Sequence, residues 1–344
     1  MKPEESERPG DCVKPGQKTS ARQLSTKIAT LVISSVLSLV LVEIGLRLFF
    51  GKELATPALG NNLLYRYDAR FGWFPVPNST NLFRNYRTVA AVHNSKGFRD
   101  IEHVGDSNKP GVLFLGDSFV WGFDVEAAER FTDKLRARHS EWAIFNCGVS
   151  GYGTDQEFLL LQKCFDDYKP RVVFLIFCTE NDEADNHWSF RYECYFKPYY
   201  STNEHGLELH GVPVPRGERT FYLGQPLILR LYLARLIVRV YCHLTNPPHV
   251  HVPSPTFVII QEMQKYLQER GVILAVGATL KYPRLEAFLY SAGIPFLDFS
   301  SCEQYPAVGH WSPKGHDCVC EAINQFLTNT IQMTGGSHKQ QVQR

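Results

Sequence analysis

The chain has 344 residues, with 36 Lys and Arg against 35 Asp and Glu, a formal net charge of +1. That balance gives no basic footprint for nucleic acid, and 44% hydrophobic with 13% aromatic content excludes a largely disordered chain. A mean hydropathy of −0.21 excludes a multi-pass membrane protein, and nine cysteines are too few for a disulfide scaffold.

Residues 1–27 are polar, carry six Lys or Arg and four acids, and read as a disordered tail. Residues 28–42 hold no charge, and Glu43, Arg47 and Leu48-Phe49-Phe50 follow. As one helix, residues 28–50 rise roughly 34 Å, enough for a bilayer core. Glu43 and Arg47 stand i,i+4 with the acid first, the favourable direction for pairing. A cleaved signal peptide calls for a small-x-small site after the apolar run, and a buried core helix calls for a polar stripe. Neither is present, so a single N-terminal transmembrane helix is the expectation. Only Arg47 and Lys52 follow the apolar run closely. The excess of positive charge before the helix places the tail in the cytoplasm and the remainder outside the cytoplasmic membrane, with the lipid bilayer as a partner.

Residues 51–110 are rich in aromatics and read as an ordered extension linking anchor to domain. From 111 to 333 strand and helix signals alternate. Apolar runs at 112–115, 143–145, 171–178, 272–276 and 296–298 read as strands. Helical patterns span 127–138, 154–168, 255–270, 283–292 and 313–331, with Thr154 expected as an N-cap and Glu157 three residues on. Such alternation predicts an α/β domain whose central parallel sheet is covered on both faces. Chemistry in these sheets gathers outside the carboxyl ends of the strands. Residues 187–253 interrupt the pattern with Tyr, Pro and His and with an amphipathic helix at 226–244, broken by Arg230, Arg235 and Arg239. Residues 334–344 read as a disordered tail.

The strand ends carry the chemistry. Gly116-Asp117-Ser118 follows the first strand, 146–151 (NCGVSG) the second, and Asn181-Asp182 the third; His310 precedes the last helix. Together they form a candidate acyl-transfer site. Ser118 is the nucleophile and His310 its general base. The Ser118 N–H, the Gly151 N–H and the Asn181 amide stabilise the oxyanion. Asp117 and His316 read as structural, and Cys147 and Cys178 as buried thiols. His310, His316, Cys318 and Cys320 lack metal-ligand spacing, so no metal site is expected. Cys194, Cys242 and Cys302 are candidates for a disulfide.

These blocks, in this order across about 220 residues, resemble the SGNH (GDSL) hydrolase superfamily. Upstream, Phe71-Gly72-Trp73, Pro77-Asn78 and 94–100 (NSKGFRD) resemble its bacterial membrane-anchored members. The resemblance implies a flavodoxin-like three-layer sandwich, the SGNH hydrolase fold, and a serine esterase without metal or organic cofactor. The expected substrate is a small-molecule or carbohydrate ester, acyl and by extension acetyl. One departure bears on mechanism. Family members carry Asp two or three residues before the catalytic His, where this chain has Val308 and Ala307. A backbone carbonyl, or Asp298 or Glu303, is then the candidate orienting group. The alternatives are an O-acetyltransferase on a cell-envelope polysaccharide, which needs a membrane acyl-donor partner, and a catalytically weakened carbohydrate-binding protein.

Overall fold

A computed structural model describes residues 21–55, 64–192, 195–224 and 227–341. Helix α1 (Ala21–Phe49) begins seven residues earlier than the expected span, because the polar start of the helix adds one backbone bond per residue to the apolar run. Residues 1–20 of the expected tail lie outside the described residues. Within α1, residues 23–49 are long and apolar enough to cross a membrane, about 40 Å as a helix, and are not buried by the rest of the protein.

Two antiparallel hairpins follow: β1 (Tyr65–Asp68) with β2 (Gly72–Pro75), and β3 (Thr80–Arg84) with β4 (Thr88–Val92). They pack on the domain rather than hanging as a tether. Trp73 Nε1 donates to the Ser150 carbonyl at 3.0 Å, and the Tyr152 hydroxyl to the Trp73 carbonyl at 2.7 Å. Buried Arg99 donates to the carbonyls of Ala90, Gly122 and Val125, stitching the second hairpin to the segment after Ser118.

The domain proper runs β5 (Gly111–Gly116), α2 (Ser118–Trp121), α3 (Phe131–Arg138), β6 (Ala143–Asn146), α4 (Thr154–Tyr168), β7 (Pro170–Phe177) and α5 (Asp182–Asp185). The insertion contributes β8 (Phe190–Arg191), β9 (Tyr195–Phe196), β10 (Tyr199–Asn203), β11 (Gly206–His210) and α6 (Tyr232–Thr245). The chain closes with α7 (Thr256–Gln268), β12 (Ile273–Ala278), α8 (Pro283–Ser291), β13 (Phe296–Asp298) and α9 (Pro313–Gln341). Helix α9 therefore continues through 341, past the expected start of a disordered tail at 334. Its packed first half nucleates the helix, and no proline interrupts the remainder.

The sheet order is β13-β12-β7-β5-β6, all parallel. Renumbered within the domain this is 2-1-3-4-5 read from β6, the flavodoxin-like order, with its switch point between β5 and β7. Period-2 alternation builds the two faces. Leu113, Leu115, Val173, Leu175 and Phe177 enter a core with α4, α7 and α8. Val112, Phe114, Val172, Phe174 and Ile176 enter the opposite core with α3 and α9. Both faces are covered, so the strands read as continuous apolar runs. The α4 cap differs from expectation. Gly153, extended, is the cap, and its N–H bonds Gln156 Oε1 at 3.4 Å. Thr154 is already inside the helix and Glu157 is buried, because the chain enters α4 one residue earlier than the Thr-Glu spacing suggests.

Candidate active site

Ser118 opens α2 directly after β5, so its N–H has no partner inside that helix. Asp117 caps the turn, its Oδ1 accepting from the Phe119 N–H at 3.0 Å. Ser118 is nearly buried, and its Oγ lies 2.8 Å from His310 Nε2. The Asp117 Oδ2 atom is a second, longer acceptor for that hydroxyl, at 3.3 Å.

His310 sits in a loop fixed at both ends. Its carbonyl accepts from the Tyr305 N–H at 2.7 Å, and Gln304 bridges Trp311. A disulfide joins Cys302 to Cys318 of α9 and closes this loop at its base. The imidazole lies against Phe119 and Phe123, at centroid distances of 5.1 and 4.8 Å. Burial pushes its pKa below the ordinary histidine value, against the pull of Asp117 and Asp124. The ring is therefore neutral at neutral pH and able to accept a proton.

The acids expected behind His310 do not reach it. Asp298 ends the edge strand β13 and accepts from the Ser300 N–H at 2.8 Å in an exposed turn. Glu303 accepts from the Ser312 hydroxyl at the entry to α9. Asp298 is held by its own turn and Glu303 by Ser312, and neither hydrogen-bonds His310. Nδ1 of His310 is buried and has no aligned hydrogen-bond partner; the nearby Val308 carbonyl raises its basicity without the geometry of a full bond.

The other two expected groups lie at the same mouth. Gly151 adopts φ +83°, a left-handed conformation that glycine takes without steric cost. Gly148 faces a tighter demand: a Cβ there would stand 2.4 Å from the Trp121 nitrogen, so only glycine lets this loop close on α2. The Asn181 Nδ2 atom donates to Asp185 Oδ2 at 3.2 Å and to Asp117 Oδ2 at 3.4 Å, which sets the amide beside Ser118. Sequence reading missed the residue that ties these loops together. Arg191, from the insertion, donates to the Gly151 carbonyl at 2.8 Å and pairs with Asp185. No local signal marks it, since its partners are 40 and 6 residues away. Behind α5, Asp155 and Lys197 form a fully buried ion pair.

A pocket of about 230 Å³ adjoins the site, lined by Tyr65, Trp73, Phe83, Phe123, Tyr192 and Tyr195 among others. Phe123 connects it to His310, and Ser150, also in its wall, connects it to Gly151. Other expectations resolve as follows. His316 is buried, and its Nδ1 accepts from the Phe131 N–H at 3.3 Å, a structural role. Cys147 and Cys178 are buried thiols, as is Cys242, so Cys242 is not in a disulfide. Cys194 lies outside the described residues. Cys302 does pair, but with Cys318.

No protein-family model matches the sequence, and no curated protein matches it. Solved structures do resemble the domain. A GDSL-like lipase from Bacteroides thetaiotaomicron is 12% identical, with a TM-score of 0.36, 64% of this chain covered and 88% of the other. A member of the lipolytic G-D-S-L family from Veillonella parvula is 11% identical, with a TM-score of 0.38, covering 63% and 98%. A psychrotrophic esterase from Pseudoalteromonas sp. is 12% identical, with a TM-score of 0.34, covering 64% and 100%. The chain's own topology is a parallel α/β sheet of flavodoxin-like order 2-1-3-4-5, with Ser118 and His310 in contact and Asn181 bonded to the neighbouring Asp117 beyond its strand ends.

Proposed function

We propose that this protein is a membrane-anchored serine esterase of SGNH type. The observation that carries the proposal is the 2.8 Å contact between Ser118 Oγ and His310 Nε2 at the carboxyl end of β5. Ser118 Oγ attacks the ester carbonyl carbon and its proton passes to Nε2. The oxyanion takes hydrogen bonds from the Ser118 and Gly151 N–H groups and from Asn181. For this the Asn181 amide exchanges its long 3.4 Å bond to Asp117 for the oxyanion. Collapse breaks the ester C–O bond, and the departing alcohol takes the proton from His310. Water, deprotonated by the same imidazole, then releases the acid from Ser118.

The Val308 carbonyl favours the tautomer with the proton on Nδ1, which leaves Nε2 as the acceptor. A carbonyl stabilises imidazolium less than a carboxylate does, so we assign slower turnover than a full triad gives. The aromatic pocket supports a short acyl ester on a carbohydrate: its volume is below that of ordinary drug-sized sites, and its ring faces suit stacking on a sugar. We assign α1 to the cytoplasmic membrane with the preceding tail inside and the domain outside. The Cys302–Cys318 disulfide supports an oxidising compartment for the domain.

The test is labelling of the full chain, in detergent, by a fluorophosphonate probe. Wild type is expected to label, and Ser118→Ala and His310→Ala to lose the label. A folded wild type that stays unlabelled sinks the nucleophile assignment. Hydrolysis of a short-chain aryl ester, with and without a sugar acceptor, then separates hydrolysis from transfer.

A further inference from the structure

Helix α6 is inverted relative to a helix of a water-facing domain. Ile237, Val240, Tyr241 and Leu244 recur at i, i+3, i+4 and i+7, a single stripe. That stripe faces away from the protein: Ile237 is 61% and Leu244 76% exposed, and Leu227, Ile228 and Leu231 extend it upstream. The basic face turns inward. Arg235 donates to the carbonyls of Leu229 and Leu54, at 2.7 and 3.0 Å, and Arg239 pairs with Glu218 at 3.1 Å.

The start of α6 is bolted to α1. Glu43 accepts from the backbone N–H groups of Tyr232 and Leu233, at 2.9 and 3.0 Å, and so caps α6 from another helix. Arg47 pairs with Glu43 and donates to the Arg230 carbonyl at 3.0 Å. Glu43 lies six residues before the end of α1, about 9 Å along its axis. That is the depth at which an amphipathic helix rests between headgroups and acyl chains, 5–10 Å. The apolar surface of α6 is thus continuous with the apolar surface of α1.

We propose that α6 and the turn before it form a second membrane contact, lying in the interface of the bilayer that α1 crosses and seating the domain on it. The occupant of the exposed stripe is lipid. The proposal rests on the reading of α1 as an anchor, and its test separates the two.

The test uses the full chain in bilayer nanodiscs, with Ile237→Cys or Leu244→Cys carrying an environment-sensitive fluorophore; labelled wild type supplies the background from native thiols. Lipids bearing a nitroxide high or low on the acyl chain act as quenchers. Leu37→Cys on α1 reports the anchor, and Tyr290→Cys, 88% exposed on α8, is the water-facing control. The expected result is roughly twofold or greater quenching at 237 and 244, stronger from the shallow nitroxide, with deep quenching at 37 and little at 290. Quenching at 37 without quenching at 237 and 244 overturns this inference and leaves the anchor standing. No quenching at 37 overturns the anchor and the inference with it. Quenching at 237 by a nitroxide on Tyr241→Cys of a second chain, in unlabelled lipid, gives the stripe to another copy and also overturns it.

Discussion

At the residue scale the site turns on what surrounds two side chains. His310 is kept neutral by burial, while Asp117 and Asp124 pull its pKa upward. In the proposed mechanism His310 is the base and works only when unprotonated, so activity should fall as the pH drops through its pKa. Because that pKa is depressed, the acid limb of kcat/KM is expected below pH 6.5, the ordinary histidine value. Asp124 stands at φ +61°, which Asn tolerates. Asp124→Asn removes one charge that raises the pKa, so its acid limb should move further down. A limb at or above 6.5 in wild type, or an upward move in the variant, contradicts the electrostatic picture. Asn181 offers a second test. Its amide is held by its nitrogen alone, since its Oδ1 is buried without a partner. Asn181→Ala should cost kcat about 10²-fold, near 3 kcal/mol, with KM little changed, because the donor matters only when the oxyanion forms. A rise in KM with kcat intact would instead mark a substrate contact. Ser118 and His310 were both legible in the sequence, because a strand end and a helix start announce them locally. The group behind His310 was not. Of the carboxylates upstream of it, Asp298 is used by its own turn and Glu303 by Ser312, and the Val308 carbonyl near Nδ1 has no sequence signature.

At the element scale, the parallel strands were readable because each is buried on both faces and leaves an unbroken apolar run, as in β5 and β7. The hairpins of the extension and the insertion were not. β8 and β9 have two residues each, too few for any period, and their pairing is set by tertiary packing. The disulfide escaped for a related reason: Cys318 reads as one side chain of a helix, and only the fold brings the 302–312 loop back against it. That bridge spans 16 residues of sequence and encloses His310. Closing a loop of that length contributes about 3 kcal/mol in the chain-entropy account. Cys302→Ser is therefore expected to lower stability by about that amount. It should also reduce kcat more than KM, since the loop it frees carries the proposed base His310 and not the aromatic pocket. Paired urea unfolding and ester hydrolysis assays check both; an unchanged kcat would show that the turn bonds at Tyr305 and Glu303 hold His310 unaided.

At the scale of the whole molecule, two sets of buried groups titrate in opposite senses. Burial holds three histidines neutral: His93, pushed down to about 4, His310 and His316. Their contribution is complete above pH 6.5, the unfolded value, and is lost as the pH falls toward the folded values. Burial also raises carboxyls, among them Asp185, pushed up to about 6 even beside Arg191, and Glu157 and Asp182, both raised and standing close to Asp117. Their contribution is complete below about pH 4, the unfolded value, and is lost as the pH rises through the folded values. Below pH 6.5 the two sets partly cancel. Between pH 6.5 and 8 these three histidines are silent and Asp185 is ionised by about pH 7, but His103, raised by Asp100 against its burial, sheds its proton as the pH climbs above 6.5, and unfolded thiols begin to titrate toward pH 8. A decline in that window then combines the shares of Glu157 and Asp182, at most about 1.4 kcal/mol per pH unit for each, with that of His103, and substitution of Glu157 isolates its own share. Both Glu157 carboxyl oxygens are buried without a partner, so an amide of the same shape keeps the packing and cannot ionise. Wild type in detergent is expected to lose thermal stability from pH 6.5 to 8, and Glu157→Gln to lose less over the same interval. A flat wild-type profile, or one that Glu157→Gln leaves equally steep, would show that the carboxyls under the oxyanion loops are already charged in the native state.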